Sequence, residues 1–101
     1  MNINALKQQA QKMQREMQKK QKELEEKLFE LESAGGAIKL FIYGNRVIEK
    51  IDIDQDAIDP DDKEMLEDMI KIAINDAIAM IDKEHEKIQQ KMASSMGMPR
   101  F

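Results

Sequence analysis

The feature that most constrains this chain is its first 26 residues, which contain neither glycine nor proline. Gln, Lys, Glu, Met and Leu dominate the segment, and all of them favour helices. The sequence therefore predicts one long helix from Ile3 to about Glu26, roughly 35 Å long. Its apolar residues form a narrow, coiled-coil-like stripe, which weakens at Lys20. The stripe recurs every seventh position at Ile3, Ala10, Met17 and Leu24, with Leu6 and Met13 between them.

The middle of the chain predicts a small antiparallel sheet. Residues Ala37 to Tyr43 are rich in β-formers, and Val47 to Asp54 alternate apolar and acidic residues. Gly44-Asn45 between them is typical of a two-residue hairpin turn. The preceding "LFELE" also alternates and suits a short strand, although Leu28 and Leu31 fit a continuing helix equally well.

A second long helix follows the sheet. Asp59 is the predicted N-cap and Pro60 the first helical residue, because these residue types favour those positions. Apolar residues then cover so much of the helix circumference that we expect burial on more than one side, with a second subunit as the simplest cover. Asn75 and Asp76 lie within this apolar stretch, so we expect them to be buried and hydrogen-bonded.

These elements predict one α+β domain over residues 1–92, with a long N-terminal helix, a small antiparallel sheet and a long C-terminal helix. Residues 93–101 are predicted to be a flexible tail. Aromatic residues make up only 4% of the 101 residues, so the core must come from Ile, Leu and the nine Met. So small a core would gain stability from pairing of two chains, and we expect a homodimer.

Several function classes are disfavoured by the residues present. The chain has no cysteine, no signal-peptide pattern, and no apolar stretch free of charges that could span a membrane. The acidic run from Asp52 lacks the glycine and the final glutamate of a calcium-binding EF-hand loop. The single histidine, His85, is interpreted as an exposed helical residue rather than a catalytic base. We therefore expect no enzyme activity, no metal, no cofactor and no small-molecule substrate.

Charge is distributed unevenly along the chain, whose net charge is -4. Residues 1–22 carry six basic residues and one acid, whereas residues 59–82 carry two basic residues and eight acids. Basic segments of this kind favour a polyanionic partner, although a solvated helix face is the more common meaning. The candidate DNA-binding residues are Lys7, Lys12, Arg15, Lys19, Lys20, Lys22, Lys83, Lys87 and Lys91.

Four sequence motifs resemble the YbaB/EbfC family of bacterial nucleoid-associated proteins. They are the opening "KQQAQKMQREMQKKQ", "GGAIKLFIYGN" at residues 35–45, "IDID" at 51–54, and "IDPDDKEMLEDMIKIAINDAI" at 58–78, and the tail "GMPRF" is also similar. Many members have a proline after "ID" where this chain has "IDIDQDAID". The resemblance implies a homodimer of α-β-β-β-α subunits with projecting helices that binds DNA, and it favours a first strand near Leu28–Ser33.

Two functional hypotheses follow. The first is a cytoplasmic, nucleoid-located homodimer that binds double-stranded DNA through phosphate contacts and affects nucleoid organisation or gene regulation. The alternative is a coiled-coil adaptor or holdase that binds proteins through Met-rich helical faces. The two differ in salt dependence, because DNA bound through phosphates is released by salt.

Overall fold

The computed structural model describes residues 2–95. The elements are α1 (Ile3–Glu26), β1 (Leu28–Ser33), β2 (Ile38–Tyr43), β3 (Ile48–Ile53) and α2 (Lys63–Ser95), with short 3-10 turns before β2 and before α2. The strands form one antiparallel sheet in the order β1-β2-β3. The molecule is elongated, at 72 × 27 × 16 Å. The predicted α+β fold is confirmed, and so is the first strand that the family resemblance favoured.

Helix α1 has the predicted bounds. Asn2 caps its N-terminus, since its side chain accepts a hydrogen bond from the backbone N–H of Asn4 at 3.0 Å. The helix ends where Lys27 adopts an extended conformation, which leads directly into β1. The absence of glycine and proline before this point explains why the helix runs unbroken for 24 residues.

The core lies between α2 and one face of the sheet. Helix α2 packs across β1 and β2. The central strand places Leu40 and Ile42 against Ala77 and Ile81 of α2, and all four side chains are buried. Burial of one such Leu or Ile side chain contributes about 1.5–3 kcal/mol, so this small cluster is the main apolar contribution to stability within one chain. Leu31 of β1, which pairs with Leu40, packs at its margin.

The loop between β2 and β3 fits closely against α1. A Cβ atom at Gly44 would lie 1.8 Å from the carbonyl oxygen of Leu24, so only glycine fits there. The loop also satisfies carbonyls at the helix end, because Gly44 N–H donates to Lys27 O at 2.9 Å and Asn45 N–H donates to Glu25 O at 3.2 Å. The predicted hairpin is confirmed, but its loop includes Arg46 in the left-handed region (φ 69°), one residue more than predicted.

The predicted start of the second helix is wrong. Asp59 caps a preceding turn, where its side chain accepts from the N–H of Asp61 at 2.9 Å. Helix α2 begins at Lys63, and Asp62 is its N-cap, since the Asp62 carboxylate accepts from the N–H of Met65 at 3.2 Å. Pro60 therefore lies in the turn and not in the helix.

Two further expectations for α2 are settled by its burial pattern. Asn75 and Asp76 are exposed, so the expectation of burial is wrong: these polar residues lie on the solvent side of the helix. Met92, by contrast, is buried, as its place in the thin apolar stripe of the polar half predicts. Helix α2 includes residues 93–95, and the rest of the predicted tail, residues 96–101, lies outside the described residues.

Part of the apolar surface stays uncovered within one chain. Strand β3 continues the sheet face that carries Leu40, with Ile51 paired to it, but α2 crosses β1 and β2 instead. On the far side of α2, Ile72 is 51% exposed. Four such side chains are referred to below as the uncovered isoleucines: Ile48, Ile51, Ile72 and Ile78.

Candidate nucleic-acid interface

The first basic surface lies on the outer face of α1. At 100° per residue, four basic side chains fall within about 80° of one another, on the side opposite the buried Leu24. All four are exposed. Arg15 lies among glutamines and donates from Nε to the carbonyl of Gln11 at 3.4 Å, so its charge stays close to the helix surface. We call this surface the basic stripe: Lys12, Arg15, Lys19 and Lys22.

A second basic surface is formed by both helices together. The C-terminal half of α1 and the C-terminal third of α2 enclose an open groove of about 310 Å³. Four lysines line it, two from each helix, together with two glutamates and the apolar Leu24 and Ile88. We call this groove the lysine cleft, and its charged residues are Lys20, Lys27, Lys87, Lys91, Glu23 and Glu84.

The cleft is positive overall but not uniformly so. Lys87 contacts Glu84 one turn earlier, with Nζ 3.0 Å from Oε1. Such an exposed pair is worth little in free energy, so Lys87 can exchange this partner for another anion at low cost. Four lysines against two glutamates leave two positive charges in excess. The arrangement therefore suits an anion that contacts several lysines at once.

The nine predicted DNA-binding residues thus divide between two surfaces. Lys20, Lys87 and Lys91 lie in the lysine cleft, whereas Lys12, Arg15, Lys19 and Lys22 form the basic stripe. Lys7 and Lys83 are exposed on their helices and do not line the cleft. Sequence reasoning missed Lys27, because it follows the helix in a segment read for its strand pattern, and only the packing of α1 against α2 turns it toward Lys87.

His85 is not the exposed residue that the sequence suggested. It is half-buried and connects three elements. Its Nε2 lies 2.9 Å from the carbonyl oxygen of Gly44, and its Nδ1 lies 2.9 Å from Nε2 of Gln21 on α1. Because a carbonyl only accepts, ring Nε2 carries the hydrogen; in the neutral ring Nδ1 then accepts from the Gln21 amide.

The other end of the molecule is acidic. Residues 59–82 include eight acids, most of which lie in the turn before α2 and in its first half. Arg46 and Asp82 form an ion pair between the hairpin loop and α2, at the boundary between the acidic and basic parts. Within residues 2–95 there is no group of three or more residues suited to hold a metal ion, and no helix there is apolar enough to cross a membrane.

Fold and surface together define a small helix–sheet–helix protein whose two long helices carry basic residues at one end. The family follows from comparison with known proteins. The chain belongs to the YbaB/EbfC DNA-binding family, whose model matches residues 1–96. Since the family is defined by DNA binding and not by a reaction, membership agrees with the expectation that the chain is not an enzyme.

Relatives in several bacteria are similar over nearly their whole length. A nucleoid-associated protein of Clostridium novyi is 46% identical over 98% of this chain and 87% of its own. Nucleoid-associated proteins of Agathobacter rectalis (40% identical, 95% of this chain and 85% of the relative) and Mycoplasmopsis pulmonis (43%, 93% and 92%) are similar to the same extent. The crystal structure of an uncharacterised Helicobacter pylori protein shares the fold, with a TM-score of 0.73 at 18% identity over 91% of this chain and 97% of that one.

Proposed function

We propose that this protein is a nucleoid-associated homodimer that binds duplex DNA through phosphate contacts. The contacts come from the basic stripe and the lysine cleft. The observation that carries the proposal is the meeting of lysines from both helices in one cleft, in a chain that belongs to a DNA-binding family. A role in nucleoid organisation or gene regulation follows from the names of the relatives.

The chemistry of the two surfaces suits the backbone of DNA rather than its bases. Lysine ammonium groups are compact charges that contact phosphates without selecting a base. Neither surface includes an aromatic residue on which a base could stack, and Arg15 is the only arginine in either of them, within the described residues. Binding should therefore depend strongly on salt and weakly on sequence.

The charge separation supports the same orientation. The acidic start of α2 would repel a duplex, and the basic ends of α1 and α2 would attract it. A duplex is thus directed to one end of the molecule. Glutamines between the basic residues of α1 keep that helix polar without adding negative charge.

The second copy is inferred from the uncovered isoleucines. Ile51 of β3 is 37% exposed although it continues the core face of the sheet, and Ile72 of α2 is 51% exposed. Covering them with a second copy would bury apolar surface at about 25 cal/mol per Å². A dimer would also double the number of lysines offered to one duplex, which raises affinity through the combined contacts.

The test is duplex binding measured by fluorescence anisotropy between about 50 and 200 mM salt. Wild-type affinity should fall by about 10³–10⁵ over that range if six to ten phosphates are neutralised. Changing the four basic-stripe residues to Glu should abolish measurable binding and flatten the salt dependence. Unchanged affinity in that variant, with its dimer intact, would contradict the proposed contact surface.

A matched control separates location from net charge. Four other lysines lie on the sheet or in the acidic half of the molecule, and reversing them changes the net charge by the same amount. Their variant should keep much of its affinity, because those lysines are distant from the proposed surface. Equal loss in both variants would mean that total charge, and not the basic stripe, governs binding. The control residues are Lys39, Lys50, Lys63 and Lys71.

The alternative function, a protein-binding adaptor or holdase, makes the opposite prediction. A stoichiometric protein partner that stays bound at high salt, together with no duplex binding at low salt, would favour it. Met65, which is 41% exposed, and the uncovered isoleucines would then be the surface to change.

A further inference from the structure

The contact between His85, Gln21 and Gly44 has a property that packing alone does not require. Gln21 presents its Nε2 to the histidine ring, while its other polar atom, Oε1, is buried and has no hydrogen-bond partner among residues 2–95. An unpartnered buried oxygen costs free energy, so a conformation that exposes the ring to this oxygen is close in energy to the one observed. The side-chain amide can exchange its two ends by turning about its last torsion.

We propose that His85 is a positioning residue for the DNA-binding surface, which holds α1 and the β2–β3 loop together in both of its protonation states. In the neutral state Nε2–H donates to Gly44 O, and Nδ1 accepts from the Gln21 amide. After protonation both ring nitrogens donate. Gly44 O still accepts from Nε2–H, and the turned Gln21 amide accepts from Nδ1–H through Oε1.

This exchange balances the hydrogen bonds at the junction. The amide turn moves one proton-bearing group away from the ring and brings one acceptor toward it, so the number of bonds to the ring stays at two. Nε2 of Gln21 then takes the buried position that Oε1 held. The junction therefore accepts a proton without separating α1 from α2, and each protonated chain gains one positive charge.

The junction lies beside the proposed DNA-binding residues on both helices. Gln21 follows Lys20 of the lysine cleft and precedes Lys22 of the basic stripe, and His85 lies two residues before Lys87. A link at this point fixes the distance between the two halves of the lysine cleft. The inference rests on the proposed function for its consequence, although the hydrogen-bond exchange can be tested without DNA.

Charged groups on each element surround the ring. Asp82 lies one turn before His85 on α2, Glu25 lies one turn after Gln21 on α1, and Arg46 belongs to the hairpin loop. Asp82 is already paired with Arg46. Histidine is the ordinary side chain that changes charge between about pH 5 and 8, and His85 is the only histidine in the chain. A pH-dependent signal in that interval can thus be assigned to one ring.

The first experiment is nuclear magnetic resonance of the free protein across about pH 5–8. At high pH the ring nitrogens should show the Nε2–H tautomer. The Gln21 side-chain amide resonances should shift with the same midpoint as the ring, and the Gly44 carbonyl should stay hydrogen-bonded throughout. An Nδ1–H tautomer, or Gln21 resonances that ignore the ring titration, would overturn the proposal.

A matched pair of variants isolates the acceptor and the donor. Gln21→Glu keeps the shape but offers only acceptors, so it should favour the protonated ring and move its titration upward by about 1 pH unit or more. Gln21→Met keeps the length but offers neither group, so the coupled amide signal disappears and the midpoint does not rise. Equal midpoints in the wild type and in Gln21→Glu would contradict the exchange.

The second experiment measures duplex affinity at constant salt over the same pH range. Two added charges per dimer near the phosphates should strengthen wild-type binding by about two- to fivefold at the acidic end. His85→Gln should lack this increase while keeping its binding near pH 8. Identical pH profiles for both proteins would overturn the positioning role. Absence of binding at every pH would refute the DNA proposal and the positioning role, whereas the resonance data alone decide the hydrogen-bond exchange.

Discussion

Replacement of Gly44 by alanine tests the packing of the hairpin loop against α1. The added Cβ would lie 1.8 Å from the Leu24 carbonyl oxygen and 2.6 Å from its carbon, which are backbone atoms that cannot turn aside. The loop must therefore withdraw from the helix. Three hydrogen bonds are then lost or weakened: Gly44 N–H to Lys27 O, Asn45 N–H to Glu25 O, and His85 Nε2–H to Gly44 O.

The expected cost follows from these contacts. Each hydrogen bond contributes about 1 kcal/mol, and partial exposure of the neighbouring Leu24 adds about 1 kcal/mol. Gly44→Ala should thus lower the free energy of unfolding by about 4 kcal/mol. Gly35→Ala is the matched control, because Gly35 has φ +67° but nothing within 4 Å of a Cβ. Its cost should be only the left-handed penalty of about 1–2 kcal/mol.

The assay is urea unfolding followed by far-ultraviolet circular dichroism, with both variants at the same protein concentration, because dimer formation contributes to apparent stability. The wild-type slope with respect to urea should be retained. A Gly44→Ala cost no larger than that of Gly35→Ala would refute the reasoning, since it would mean that the close approach carries no free energy.

Three further predictions concern other contacts. Asp62→Ala should lower the free energy of unfolding by about 1 kcal/mol through loss of the α2 N-cap, whereas Asp61→Ala, the same charge change one residue earlier, should cost less; equal costs in thermal unfolding would contradict the assigned cap. Asp82→Ala should change stability by less than about 0.5 kcal/mol, because its pair with Arg46 is exposed, and a loss above about 2 kcal/mol would show that the pair matters more than its exposure implies. Ile51→Lys with Ile72→Lys should yield monomers in sedimentation analysis, while Lys50→Glu should not, and an intact dimer in the double variant would exclude the uncovered isoleucines as its interface.

The fold was predictable where local rules agree with one another. Helix α1 has its predicted bounds because 24 consecutive residues favour helix and the next residue starts a strand pattern. Strand β2 was predictable because Ile38, Leu40 and Ile42 alternate with more polar residues. The start of α2 was not, because Asp59, Asp61 and Asp62 are all good caps and only the preceding turn decides which of them is used.

The candidate site was predictable only in part, because charge can be read locally and contacts cannot. The basic stripe follows directly from the spacing of its residues on one helix. The lysine cleft requires the packing of α1 against α2, so Lys27 gave no signal of its own. Gln21 and His85 are 64 residues apart in sequence, and a lone histidine in a charged segment is indistinguishable from a solvated one. Gly44 was read as a turn residue, whereas its closeness to Leu24 is the stricter requirement.

The irregular pairing between β2 and β3 has a consequence for aggregation. Phe41 pairs with Lys50 and Ile42 with Ile48, so Glu49 is left as the extra residue of a β-bulge. The bulge breaks the regular row of N–H and C=O groups that an incoming strand would need at the sheet edge, and Glu49, Lys50 and Asp52 add charge along it. Exposed isoleucines beside a flat, regular edge would invite fibril growth. Here they can be covered face to face by one folded copy, while addition of further strands at the β3 edge is disfavoured.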